Sequence, residues 1–198
     1  MFKKIALFAL ISVAVVATVR PAIAKDKLLI VQNFDLSKYV GTWYEVARLP
    51  NWFERNCSSE ITAQYSVRED GKLDVRNSCK KKSGSSDVAQ GVGRFASENT
   101  KLGHLKVTFA PGVLRALPFV WADYCVIDVD ADYRIALVGD PSRKYLWILS
   151  KDRDVDKSDI DRLMKLAAQQ GFDVSKLINT EVGRAATQSK SERDDPQQ

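Results

Sequence analysis

Histidine is almost absent from this chain: His104 is the single one in 198 residues, and the three cysteines, none earlier than Cys57, contain no Cys-x-x-Cys pair. A closed zinc site would therefore lack ligands at any familiar spacing, and no metal is expected. No Gly-x-Ser-x-Gly elbow occurs, and a nucleophile-and-base pair would have to enlist His104, which reads as a solvated residue at a strand end. No catalytic residue and no cofactor are expected on these grounds. No apolar run reaches the roughly 20 residues that a membrane-spanning helix needs, since Ile5 to Val19 is cut by Arg20-Pro21. Acidic residues are also missing at the start, where Lys3, Lys4 and Arg20 supply three of the five net positive charges before any acid appears. A product beginning at Lys25 would carry only +2, which removes the electrostatic case for nucleic acid.

What the first residues do contain is a basic Phe2-Lys3-Lys4 segment, the apolar stretch and the small-x-small site Ala22-Ile23-Ala24, so residues 1–24 read as a secretory signal peptide. Residues 25–182 are the size of one domain with one core, and the polar stretch 183–198 reads as a disordered tail. Three cysteines in an exported chain suit one disulfide and one leftover thiol.

The domain alternates polar and apolar residues in short runs separated by turn signals. After a lead-in in which Asp35 caps one helical turn, Gly41-Thr42-Trp43-Tyr44-Glu45-Val46-Ala47 opens a first strand that Pro50 ends. Glu60 to Arg68, Glu69-Asp70-Gly71 and Lys72 to Cys79 form a hairpin. Val88 to Ala96, with two glycines that predict a bend or bulge, and Leu105 to Ala110 follow. Val120 to Val129, Arg134 to Gly139 and Lys144 to Lys151 complete eight strands. Regular short strands joined by hairpin turns indicate an antiparallel sandwich or barrel. Ser158-Asp159-Ile160-Asp161 resembles a capping box ahead of a stripe of Ile160, Leu163, Leu166 and Ala167, so one helix packs on the sheet and ends at Gly171. A last short strand is expected within Phe172 to Ile178.

In an up-and-down order, an even number of strands returns the chain to its starting end. Trp43 and Lys151 then share one end, where an ammonium over the indole face would plug the barrel floor; the alternative leaves Lys151 in solvent. The other end gathers Trp52, Phe53, Lys80 to Lys82, Leu114, Leu117 and Arg143. Apolar groups ringed by cations suit an entrance for amphiphiles, unless those loops fold back on their own sheet. Cys57 and Cys79 fall at this end of one hairpin and pair best with each other, leaving Cys125 as a buried free thiol.

Gly41-Thr42-Trp43-Tyr44-Glu45 resembles the first signature of the lipocalins, and Tyr145-Leu146-Trp147-Ile148-Leu149-Ser150-Lys151 resembles their last. The likeness extends through Asp70-Gly71, Asp132-Tyr133-Arg134 and Gly171-Phe172-Asp173-Val174, and is similar to that of the bacterial outer-membrane-type lipocalins, which are related to apolipoprotein D. It implies an all-β fold: an eight-stranded antiparallel up-and-down calycin barrel with one C-terminal helix outside. By position in the family, Tyr39, Tyr65, Asn77, Phe109, Cys125 and Trp147 face the pocket, with Tyr39 near its base. Alternation places Trp147, Leu149 and Lys151 on one face, and likewise Trp43, Glu45 and Ala47. Two departures stand out: Lys151 replaces the usual arginine, which weakens stacking on the indole, and no early cysteine offers a lipidation site.

The resemblance implies a non-enzymatic carrier of a small hydrophobic ligand such as a fatty acid or lysophospholipid. Its location would be periplasmic or secreted, with peripheral contact to a membrane and the outer membrane as the site of association. Two alternatives come from other classes: an isomerase-like enzyme using Cys125, and a protein-interaction module using the open-end loops.

Overall fold

The computed structural model describes residues 27–180 and 182. The expected signal peptide and polar tail lie outside them. Nine strands follow in chain order: β1 (Gly41–Arg48), β2 (Cys57–Val67), β3 (Leu73–Lys81), β4 (Ser86–Phe95), β5 (His104–Thr108), β6 (Ala122–Val129), β7 (Ile135–Gly139), β8 (Leu146–Ser150) and β9 (Ile178–Asn179). Helix α1 (Leu36–Tyr39) precedes β1, and α2 (Lys157–Gln169) separates β8 from β9. Every neighbouring pair from β1 to β8 is antiparallel, and β1 also pairs with β8, which closes an eight-stranded barrel. The two-residue β9 adds to β1 on the outside, opposite Ala47 and Arg48.

Two cores result from the period-2 alternation of the strands. Inside the barrel lie Trp43, Tyr65, Leu73, Val75, Leu105, Val126, Ala136, Val138 and Leu149, joined by Phe34, Tyr39 and Tyr133 from the lower loops. Outside, Ile127, Leu137, Leu146 and Ile148 meet Ile160, Leu163 and Ala167 of α2 together with Phe172. The helical stripe is therefore packing, and Gly139 on β7 is part of the reason it fits. A Cβ there would stand 2.7 Å from the ring of Phe172, so only glycine admits the ring.

The lead-in behaves as its sequence indicates: the Asp35 carboxylate accepts from the Ser37 amide, and α1 lasts one turn before Gly41, at φ +109°, redirects the chain. The capping-box reading of α2 needs correction, because the helix starts at Lys157, before Ser158, and Asp156 takes the N-cap position without a side-chain bond. The β4 glycines produce no bulge. The β3–β4 ladder runs unbroken from Leu73↔Gly93 to Lys80↔Ser86, and the glycines instead make room for Leu73 and Phe109. The final segment is a short 3-10 turn, Val174–Lys176, ahead of β9.

Register shifts occur between β2 and β3 and between β6 and β7, and the one that reshapes the inner face sits in β1. Its register against β8 shifts between Glu45↔Leu149 and Ala47↔Ile148, a β-bulge that re-aims every following side chain. Ala47 thereby leaves the face of Trp43 and Glu45, contrary to simple alternation, and joins the outer core; Arg48, opposite the inward Trp147, takes its place.

Cys57 and Cys79 form a disulfide with Cα atoms 5.6 Å apart, tying the start of β2 to the end of β3 across 22 residues. Cutting a loop of that length out of the unfolded ensemble is worth roughly 2–4 kcal/mol. Replacing both cysteines by serine is expected to lower the urea midpoint by that amount at nearly constant slope.

Candidate functional site

The floor of the barrel is built on Trp43, which is fully buried. Its indole N–H donates to the Tyr39 carbonyl at 2.7 Å, its ring lies 4.8 Å from that of Tyr39, and the Lys151 ammonium stands 5.2 Å from its centroid. Lys151 also donates to the Lys38 carbonyl at 2.6 Å, so one cation holds both the indole face and the end of α1. Burial lowers its pKa. The solvent-exposed reading of this lysine is replaced by a plug.

Three tyrosines sit on the floor. The Tyr124 hydroxyl is 2.7 Å from that of Tyr39 and 2.9 Å from that of Tyr65. Burial is the leading cause that raises all three pKa values, Tyr65 to about 12 and the other two well above the usual phenol range, so the trio is neutral at ordinary pH.

Towards the mouth, the inner face stops being buried. Ala63, Asn77, Ala89, Val107, Phe109, Tyr124 and Trp147 retain accessible surface although register or alternation directs them inward. Phe109 is 46 % exposed and its ring lies against the inner side of Gly91, where a Cβ would come within 2.9 Å of it. Asn77, on this inner face, carries a buried amide oxygen with no partner. Tyr145 and Trp147 stack at 6.1 Å, and Phe53 from the β1–β2 loop closes on both, at 5.8 and 6.3 Å.

A buried charge cluster fixes that loop. Arg48 donates to Glu45 at 2.6 Å and reaches Glu54 at 3.3 Å, while the Trp147 indole N–H donates to Glu54 at 3.2 Å. Asn51 receives the Glu54 amide at 2.8 Å and returns a bond to its carboxylate at 2.5 Å. Two carboxylates share one guanidinium, so desolvation first and Glu54 second raise the pKa of Glu45 to about 8 against the pull of Arg48.

Around the rim, Trp52, Val113 and Phe119 are 70 %, 84 % and 78 % exposed. Leu114 and Leu117 accompany them, carried by 3-10 turns Gly112–Leu114 and Pro118–Val120, so this loop does not fold back onto the sheet. Among the described residues no cluster of His, Cys, Asp and Glu is arranged to hold a metal ion, and no helix is long and apolar enough to cross a membrane.

A lipocalin-like domain family matches residues 34–182. The chain belongs to the lipocalin family. This lipocalin is 40 % identical over 150 residues to the outer membrane lipoprotein Blc of Escherichia coli K12, covering 75 % of this chain and 80 % of that one. It is 29 % identical to apolipoprotein D of Cavia porcellus over 160 residues, covering 76 % and 78 %. In structure it is similar to insecticyanin of Manduca sexta, with a TM-score of 0.63 and 27 % identity over 80 % of this chain and 86 % of the other.

Of the residues singled out by family position, Tyr39, Tyr65, Asn77, Phe109 and Trp147 come together on the inner face. Cys125 does not. It pairs with outward-facing His104 and Gly139, joins the outer core under α2, and burial pushes its thiol up to about 12. Asp123 gave the signal: a charged residue two positions away belongs outside, and Cys125 shares its face, which sends Tyr124 inward. Arg143 also needs correction as an entrance group, because it donates to the Pro141 and Gln170 carbonyls and tethers the β7–β8 turn to the end of α2. Of the basic run, Lys80 pairs with Glu60 and Lys81 with Asp87. Tyr124, Arg48 and Glu54 are inner residues that sequence reading passes over, while Glu45 was placed on the face of Trp43 without its charged partners.

Proposed function

We propose that this lipocalin is an exported carrier of a fatty acid, lysophospholipid or similar amphiphile, held tail-down in the barrel. The observation that carries the reading is the lumen itself: an inner face of aromatic and aliphatic side chains, sealed at the Trp43 floor and still accessible towards the mouth. Each buried CH₂ of an acyl chain contributes about 0.8 kcal/mol, enough for a tail to bind without any strong polar contact. Export is supported by the disulfide and by the similarity to a protein named as an outer membrane lipoprotein. The exposed Trp52, Val113 and Phe119, with Arg55, Lys82 and Lys144 in the loops of the same end, suit transient contact with a membrane surface during loading.

The position of Cys125 supports binding over catalysis. A thiol on the outer face, under a helix and with its pKa raised to about 12, cannot serve as a nucleophile inside the barrel. Titration with a fatty acid bearing a nitroxide quencher is expected to quench tryptophan emission saturably. Trp147→Phe should remove a large share of that response, because Trp43 lies beneath the floor and Trp52 and Trp121 lie away from the lumen. Folded protein that responds to no acyl ligand would overturn the carrier reading.

A further inference from the structure

We propose that the Tyr39–Tyr65–Tyr124 trio is a polar subsite at the inner end of the cavity, selecting ligands that carry a neutral hydroxyl group there. The inference rests on the carrier reading and adds to it the chemistry of the buried end. The three hydroxyls are linked by two hydrogen bonds, both centred on Tyr124, and make no other among the described residues. Three O–H groups bring three protons, and two bonds use two of them, whichever way each points. One donor is left over in every arrangement. Ionisation does not remove it, since burial keeps all three phenols neutral.

The position of the spare donor follows from access. Tyr39 and Tyr65 are buried against the Trp43 floor, whereas Tyr124 keeps accessible surface on the inner face of β6. With Tyr39 and Tyr65 both donating to the Tyr124 oxygen, the Tyr124 proton points into the lumen. An acyl chain lying over this donor would leave it without an acceptor at a cost of about 1–3 kcal/mol, which a ligand oxygen at that point avoids. A second unsatisfied atom lies on the same inner face: Asn77, one inward position mouthward of Val75, which itself pairs with Tyr65. A donor and an acceptor both lacking partners match a hydroxyl, which accepts one bond and gives one. They do not match a carboxylate, because the inner cation, Arg48, is already shared by Glu45 and Glu54, and Lys151 lies at the indole and is engaged by the Lys38 carbonyl. The charged end of an amphiphile therefore stays at the mouth.

The test is competition against a fluorescent acyl probe with octadecanoic acid and its hydroxylated forms, the hydroxyl placed in turn at mid-chain, three-quarters along and at the terminal carbon. One position should bind about tenfold tighter than the parent acid, in line with one satisfied buried donor. Tyr124→Phe is expected to bring that ratio close to one, whatever change it makes in the affinity for the parent acid. Tyr44→Phe, at a residue on the outer face of β1 beside Arg153, should keep the preference and serves as the folded control. A flat ratio at every position with normal parent binding overturns the subsite alone, as does a preference that survives in Tyr124→Phe. Absence of binding by parent and hydroxylated acids alike overturns the carrier reading and this inference with it.

Discussion

Trp43→Ala should cost about 3–5 kcal/mol of unfolding free energy, the range found when a large aromatic is deleted from a packed core. Trp43 is the largest of the fully buried side chains, so the cavity left behind would be the largest any single truncation here can make. Three further losses follow from the same ring: the Tyr39 carbonyl loses its 2.7 Å donor, the Tyr39 ring loses its stacking surface, and Lys151 loses the indole face beneath its ammonium. Trp43→Phe keeps part of the packing while removing the indole N–H and the volume of the second ring; about 1–2 kcal/mol is expected there. Urea denaturation gives both values, and acyl-ligand affinity measured well below the midpoint should change little. A large affinity loss in folded Trp43→Phe would mean that the indole belongs to the binding surface and not to the floor.

Strand order, the floor and the disulfide were legible because each follows from parity. An even strand count returns Lys151 to the end where Trp43 begins, and the hairpin places Cys57 beside Cys79. Side-chain direction was legible only where the alternation is unbroken. At β1 the bulge between Glu45 and Ala47 inverts it, and no residue type in Glu45-Val46-Ala47-Arg48 announces an inserted residue. On β6 the alternation holds from Asp123 to Val126, ahead of a register shift before Asp128, but was anchored on the wrong residue: Cys125 was placed inward by family position, although Asp123 on the same face is charged and Tyr124 between them is the larger apolar surface. The glycines of β4 illustrate a different limit. Sequence shows that side chains are missing there, yet only three-dimensional packing shows that Phe109 fills the space at Gly91. Buried charge is hardest to foresee, because Glu45, Arg48 and Glu54 each look like ordinary surface residues until the bulge and the loop bring them to one point.

That cluster carries the second large effect. Arg48→Met would leave Glu45 and Glu54 facing each other without their shared guanidinium, and breaking a buried pair from one side typically costs about 3–5 kcal/mol. The penalty should depend on pH with a definite sign. In the native protein Glu45 is held up from 4.5 to about 8, so between those values the folded state keeps a proton that the unfolded state has released. Stability from this group is complete below pH 4.5 and is lost as pH rises towards 8. Removing Arg48 takes away the one influence that opposes the rise, so the folded carboxyl binds its proton more tightly and the loss with pH deepens. Urea denaturation at pH 5 and pH 8.5 should thus show the Arg48→Met deficit growing at the higher pH. Glu45→Gln, neutral at both, should flatten the dependence in either background. The loop supplies an independent readout, since Glu54 is also the acceptor of the Trp147 indole N–H, and losing Arg48 should free Phe53 from the stacked Tyr145–Trp147 pair. Trp147 emission would then shift to the red even where the barrel remains folded. A deficit that is equal at both pH values, with unchanged emission, would show that Arg48 contributes through packing of its side chain and not through its charge.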